Sequence, residues 1–380
     1  MRIVLTGGGS GGHFYPLIAV VEAIEDICKE RRLLEPQLYY VGPHPFDNAA
    51  LLEHEIEHLP SPAGRLRRYQ SVWNVLGVFQ TAWGIVRATM QLFHLYPDVV
   101  LSTGGFAAFP TLYAARILRI PVVIYDADAT PGRVSLWSSK FARWIAVAHA
   151  DAAMKFSAHV RDRIVQVGHP IRKEIAHPSK EGGHEFLKLE PAVPTIFIMG
   201  GSQGSRAINN VVLDALPELV SDYNVIHQTG TANLAETSDI ASIVLKDSRY
   251  EDRYKIFGLL NTVSLRMAAG IASLVLARAG SGTIFEVASW GIPAILVPIP
   301  EDVSHDQMEN AFSYARAGGA VVIEQKNLTP HLLAAEIHRI IVDEVIQARM
   351  KEAAHSYARP DAARKIAGAL LEITLEHQSV

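Results

Sequence analysis

Short runs of wholly apolar residues recur along the chain. Each is followed by a longer stretch in which apolar positions return every three or four residues. RIVLT at 2–6, LYYVG at 38–42, DVVLS at 98–102 and PVVIYD at 121–126 are of the first kind, and residues 15–33 show the second spacing. Strands apolar on both sides fit a parallel sheet covered on both faces, and the helical stretches supply the cover. Between 168 and 194 the pattern lapses into GHPIRKEIAHPSKEGGHEFLKLEPAVP, rich in proline, glycine and charge, as a linker is. TIFIMGGSQGSRAINNVVLDAL, from 195, restarts the order of strand, glycine turn and helix, and YNVIHQ, SLVLAR, PAILVP and AVVIE supply later strands. The pattern predicts an α/β chain of two doubly wound Rossmann-like domains, over 1–170 and 171–359, each opening on a glycine-rich turn. A last periodic segment at 360–376 predicts a helix, in a 360–380 tail able to pack back on the first domain.

Composition adds limits. The 380 residues are 49% hydrophobic and 19% charged, enough for two cores and too apolar for a disordered chain. A net charge of −4 argues against a general nucleic-acid binder. That charge is uneven: residues 1–170 hold 16 Lys and Arg against 14 Asp and Glu, and the remainder 19 against 25. One cysteine, Cys28, excludes a disulfide framework and a cysteine zinc site. The chain opens on a strand without a secretory pattern and has no run of 18 apolar residues, so a cytoplasmic location is the expectation.

The turns carry the candidate chemistry. GGGSGGHFYP, 7–16, holds G-x-G-x-x-G at Gly7, Gly9 and Gly12. Glycine lets backbone approach a ligand closely, and the following helix presents free N–H groups and a positive dipole end to phosphate. A dinucleotide fold also needs an acid at the tip of the second strand; here that strand ends LYYVGPH, which disfavours NAD. A tight connection without ligand is the plain alternative, but His13 at the mouth of the turn suits a base or an acceptor contact. STGGF at 102–106 and GGSQGS at 200–205 also end strands, where ligands of parallel sheets bind. In ARAGSGTIFEV, 277–287, Gly280 and Gly282 open another helix. Glu286, one turn into it, fits the two hydroxyls of a ribose or, equally, an ordinary acid favoured by the helix dipole. PEDVSHDQMENA, 300–311, offers Asp306, Gln307 and Asn310; the two amides share a helix face and suit sugar hydroxyls, while capping by Ser304 or Asp306 explains part of the cluster.

GGGSGGHFYP, STGGFAAFP, GGSQGSRAIN, ARAGSGTIFEVASWGIPAILVP and DQMENA, in this order and at these spacings, resemble the MurG family, the UDP-N-acetylglucosamine transferases that convert lipid I to lipid II in peptidoglycan synthesis. The resemblance covers nearly the whole chain. It implies a GT-B fold, with two Rossmann-like domains facing across a cleft, an inverting transfer, and neither metal nor cofactor. Matched by position, it assigns UDP-N-acetylglucosamine to Arg172, Ser202, Gln203, Leu260, Arg278, Gly280, Ser281, Glu286, Asp306, Gln307 and Asn310. Glu286 would take the ribose, Gln307 and Asn310 the sugar, Ser202, Gln203 and Arg172 the diphosphate, and Leu259 or Leu260 the uracil. It assigns a polyprenyl-diphosphate sugar acceptor to Gly9, Ser10, Gly11, Gly12, His13, Thr103, Gly104, Gly105, Tyr125 and Asp126, with His13 or Asp128 as general base. The chain departs from the family at two places: YDAD, 125–128, stands where the family has His-Glu-Gln-Asn, and His169 replaces the Asn of its Gly-Asn-Pro-Val-Arg stretch. The first departure bears on the acceptor rather than on the donor.

Residues 58–97 hold no Asp or Glu but contain Arg65, Arg67, Arg68 and Arg87. Trp73, Leu76, Phe79, Trp83, Val86, Met90 and Phe93 recur there at helical spacing. Such a stripe ordinarily packs on its own domain. Forty residues without an acid fit better with an anionic membrane surface, giving peripheral attachment to the inner face of the membrane, where a lipid-linked acceptor would lie. Two other classes stay open: a related UDP-sugar enzyme, with a different lipid acceptor or a 2-epimerase without hydrolysis, and a non-catalytic nucleotide-sugar-binding partner.

Overall fold

The computed structural model describes residues 1–8, 10–64, 72–201, 203–303 and 306–378. The chain forms two units, Met1–Arg172 with Pro360–Val380, and Lys173–Arg359.

Unit 1 is built on β1 (Arg2–Thr6), β2 (Gln37–Gly42), β3 (Glu57–Pro60), β4 (Val99–Ser102), β5 (Val122–Asp126), β6 (Trp144–Val147) and β7 (Ile164–Gln166). All pairs are parallel, in the order β3-β2-β1-β4-β5-β6-β7. Val4, Val100, Ile124, Ile145 and Val147 face Leu92, Leu112 and Ala115 of the covering helices in one core. Each such side chain contributes about 1.5–3 kcal/mol on burial. The helix Ala362–Gln378 packs on the first helix, Gly11–Arg31, burying Ile366, Leu370 and Ile373. His377 pairs with Asp98 at 2.9 Å, and Asp98 also accepts from the N–H of Arg2 at 2.7 Å, so the end of the chain is tied to the first strand.

Unit 2 repeats the plan with β8 (Thr195–Met199), β9 (Asn224–Gln228), β10 (Tyr254–Phe257), β11 (Ala272–Ala277), β12 (Ala294–Leu296) and β13 (Ala320–Val322), again all parallel, in the order β10-β9-β8-β11-β12-β13. Its core joins Ile196, Ile198, Leu274 and Leu276 to Val212, Leu216, Leu333 and Ile337. In each sheet the strand order reverses once, between β1 and β4 and between β8 and β11. Helices run from there to opposite faces and leave a crevice at the carboxyl ends of those two strands. The turns after β1, β4, β8 and β11, at those reversals, all carry glycine.

Candidate active site

In unit 1 the site begins with a close approach. A Cβ on Gly7 would stand 1.9 Å from Thr103 Oγ1, so glycine is what lets the β1 turn lie on the β4 turn. Thr103 Oγ1 donates to the His13 carbonyl at 2.6 Å, and His13 Nδ1 lies 2.9 Å from the Thr103 carbonyl. A carbonyl only accepts, so Nδ1 carries a proton, and in the neutral tautomer this leaves the lone pair on Nε2. Nε2 faces the Gly104–Gly105 turn: a Cβ on Gly105 would be 3.7 Å from it. Ser10, extended and without a side-chain cap bond, precedes Gly11 and Gly12 at the helix start, leaving first-turn N–H groups for a ligand. Gly9 lies outside the described residues.

The turn after β5 differs from what the sequence suggested. Tyr125 and Asp126 are buried, with 1% and 5% exposure, so neither side chain offers a surface to an acceptor. Asp126 Oδ1 and Oδ2 accept from the N–H groups of Asp128 at 3.3 Å and Gly132 at 3.2 Å, and its carboxyl also pairs with Ser135. Burial pushes its pKa up to about 7. Asp126 thus shapes the loop that presents half-exposed Asp128. Arg172 belongs to unit 1, where its guanidinium lies over the Tyr15 ring, 4.2 Å from the centroid.

In unit 2 the amides do different work from that expected. Gln307 Oε1 accepts from the N–H of Ala279 and of Ile299, both at 3.2 Å, and Asn310 Nδ2 donates to the Ala279 carbonyl at 3.4 Å. The two amides share a helix face, as their spacing requires, and clamp Ala279 from both sides. Asn310 has 0% exposure, which removes it from the surface; Gln307 keeps its two N–H donors to offer. Arg278 is committed too. Its guanidinium donates to the carbonyls of Val297 and Pro298 at 3.0 and 3.3 Å, to Ser205 Oγ at 2.6 Å and to Gln325 Oε1 at 2.7 Å. Burial lowers its pKa from the usual guanidinium value. Ser205 caps the helix Arg206–Asp222, so Arg278 ties that helix start to the β12 end. Gly204 has φ +75, and a Cβ there would meet the Thr229 carbonyl at 2.0 Å.

Around this frame, Gln203 is exposed and Glu286 half-exposed on the helix Ser281–Trp290, which Gly280 precedes as N-cap; Ser281 is buried and Asp306 half-exposed. Of the two leucines, Leu260 is buried and gives its N–H to Gln228 Oε1 at 3.1 Å, while Leu259 is 58% exposed. Of the two, only Leu259 presents an apolar surface. Ser205, Gln228 and Gln325 were not singled out from the sequence; a serine opening the helix after GGSQG was the available signal. Ser202 and Ser304 lie outside the described residues. Among those described, no three His, Cys, Asp or Glu side chains gather as metal ligands would.

The helix Val72–Leu95 turns its stripe outward: Leu76, Phe79, Trp83, Met90 and Phe93 are each 54–69% exposed, and Val86 43%. Unit 1 thus leaves much of the surface of these side chains uncovered. Arg87 is exposed beside them; Arg65, Arg67, Arg68 and the side chain of Trp73 lie outside the described residues. Among the described residues no helix is long and apolar enough to cross a membrane.

Residues 3–147 match the glycosyltransferase family 28 N-terminal domain and residues 195–366 the family 28 C-terminal domain. A curated UDP-N-acetylglucosamine–N-acetylmuramyl-(pentapeptide) pyrophosphoryl-undecaprenol N-acetylglucosamine transferase of Treponema denticola is 32% identical over 94% of this chain and 93% of its own. One of the same name from Symbiobacterium thermophilum is 33% identical over 98% and 96%. The chain belongs to the MurG glycosyltransferases of family 28. Its fold is GT-B. The crystal structure of Acinetobacter baumannii MurG superposes with a TM-score of 0.73 at 23% identity, over 98% of this chain and 99% of that one. A UDP-N-acetylglucosamine 2-epimerase from Neisseria meningitidis, bound to UDP-GlcNAc, reaches 0.67 at 14% identity over 98% and 100%, a likeness of fold alone.

Proposed function

We propose that the chain transfers N-acetylglucosamine from UDP-N-acetylglucosamine to lipid I, yielding lipid II. The observation that carries this reading is the likeness, at 32–33% identity over nearly the full length, to transferases whose names state that donor and that undecaprenyl-diphosphate acceptor. The glycine turns at the strand-order reversals of both units support it.

Unit 2 is the donor side. Glu286 takes the ribose hydroxyls, Leu259 covers the uracil, and Gln307 offers its N–H groups to the sugar. The first-turn N–H groups of the helices at 206 and 281 meet the diphosphate, held in place by Arg278 through Ser205, with Gln203 beside them. Unit 1 is the acceptor side, with the acceptor diphosphate at Ser10–Gly12 and the Gly104–Gly105 turn. The acceptor hydroxyl oxygen bonds to the anomeric carbon while the bond from that carbon to the β-phosphate oxygen breaks, inverting the carbon. His13 Nε2 takes the hydroxyl proton, and its Nδ1–H bond to the Thr103 carbonyl stabilises the imidazolium that results. Asp128 is the second candidate base. Arg172 binds the donor diphosphate, and the helix N-termini stabilise the charge that develops on the leaving UDP.

The exposed face of Val72–Leu95 supports peripheral attachment to an anionic membrane on the cytoplasmic side, where the lipid-linked acceptor is presented. Following UDP-N-acetylglucosamine by NMR tests the chemistry. The donor is consumed only when lipid I is added and gives UDP; a free or epimerised sugar appearing without acceptor would instead establish the epimerase reading.

A further inference from the structure

Two polar side chains without a part in that chemistry meet in the core of unit 1. Tyr125 stands at the end of β5, and His169 lies past β7 in the segment 168–172, where the chain leaves the unit. They are 1% and 6% exposed. The Tyr125 hydroxyl and His169 Nδ1 are 2.7 Å apart, with ring centroids at 5.9 Å and planes at 63°. Burial raises the phenol pKa well above its ordinary value, and the nearby Asp128 and Asp126 add to this. Burial also holds the imidazole down at about 3, helped by His149 and His13. The phenol is therefore the donor and the neutral imidazole the acceptor.

Burying two polar groups costs free energy that an apolar pair of the same volume would not, and what the hydrogen bond gives in return is one defined arrangement. The segment is restricted at His169 and Pro170, and its freedom lies at Gly168. Gly168 has φ +87, and His169 precedes Pro170, which restricts it to extended backbone. A fixed His169 therefore sets the direction in which the chain enters Pro170 and approaches Arg172. Three residues on, Arg172 lays its guanidinium on Tyr15, two residues after His13 in the first turns of Gly11–Arg31. Arg172 is half-buried, and no carboxylate pairs with it among the described residues.

We propose that Tyr125 and His169 are positioning residues whose hydrogen bond locks the segment 168–172 to β5 and so sets where the Arg172 guanidinium stands. The proposal rests on reading Arg172 as a ligand of the donor diphosphate.

A double-mutant cycle on the full chain separates the two ideas. Wild type, Tyr125→Phe, Arg172→Ala and the double variant are titrated with UDP-N-acetylglucosamine by calorimetry, and turnover is measured with lipid I. Tyr125→Phe removes one hydrogen bond and no packing volume. It should weaken donor affinity about fivefold, the effect of one such bond, and raise the donor KM in step while kcat stays within about twofold. In the Arg172→Ala background the same change should leave affinity within about twofold of the single variant. A purely structural pair would lower the melting temperature and leave this split and this dependence on Arg172 absent. An equal loss in both backgrounds, or wild-type affinity for Tyr125→Phe beside a weakened Arg172→Ala, overturns the proposal alone. Wild-type affinity for Arg172→Ala overturns the diphosphate reading of Arg172. Should Tyr125→Phe melt below the assay temperature, His169→Asn enters the cycle in its place, and the same two outcomes decide.

Discussion

On the proposed reading Gln307 holds two backbone turns and donates to the sugar, and two substitutions pull these roles apart. Its Oε1 accepts from the N–H groups of Ala279 and Ile299 at 3.2 Å each, joining the turns after β11 and β12. Gln307→Leu leaves both donors without a partner. At about 1 kcal/mol for each half-buried bond, the loss is about 2 kcal/mol, which for a unit of this size lowers the melting temperature by about 4–8 °C. Donor affinity should fall at least tenfold, because the turn opening the Ser281–Trp290 helix is no longer held and the amide N–H groups are gone. Gln307→Glu has nearly the same shape and keeps an oxygen for both backbone donors. It should melt close to wild type, yet bind UDP-N-acetylglucosamine at least tenfold more weakly, since a carboxylate has no proton to give a sugar hydroxyl. Scanning calorimetry gives the first quantity and titration calorimetry the second. The reasoning is refuted if Gln307→Leu melts with the wild type, or if Gln307→Glu melts as low as Gln307→Leu.

The same geometry sets four further expectations. His13→Gln should reduce kcat by about 10²–10⁴ while UDP-N-acetylglucosamine binds as before; a kcat within tenfold of wild type would transfer the role of base to Asp128. Glu286→Gln should weaken UDP-N-acetylglucosamine in calorimetry, and unchanged affinity would remove Glu286 from the ribose. Asp126, with a pKa pushed up to about 7 from 3.8, holds its proton more tightly folded than unfolded. Its contribution is therefore complete below about pH 4 and lost as pH rises towards 7. In melting curves taken across that window, Asp126→Asn should gain on the wild type with rising pH and run parallel above it; parallel curves throughout would contradict the assignment. Phe79 and Trp83 are 69% and 61% exposed. Replacing both by Ser should cut flotation with phosphatidylglycerol vesicles at least tenfold and leave the melting temperature within about 2 °C. Unaltered flotation would place the membrane contact elsewhere.

The strands that face a core on both sides were legible in the sequence because a continuous apolar run has no other use in a chain of this composition. β3, β7 and β10 were not: they are edge strands of three or four residues, half-exposed or exposed along most of their length. β6, WIAV, is buried but only four residues long. The glycine turns were readable because strand, glycine and helix adjoin one another locally. The roles of individual polar side chains were less so. The spacing of Gln307 and Asn310 correctly puts both on one face, but their partner is the backbone of Ala279, about thirty residues earlier, and no local pattern encodes that pairing. Arg278 likewise reads as a ligand for phosphate until its neutral oxygen partners, from Ser205 to Gln325, are seen around it. The stripe on Val72–Leu95 has the same periodicity whether buried or exposed, and only the charge pattern pointed outward.

One experiment bears most directly on the assignment as a lipid I transferase. The protein is incubated with UDP-N-acetylglucosamine labelled in the sugar and with lipid I in anionic vesicles, and the lipid is then extracted. Label should move into the organic phase in a product one N-acetylhexosamine heavier than lipid I, with UDP released in equal amount. Label that stays in the aqueous phase, while calorimetry shows the donor bound, would contradict that assignment.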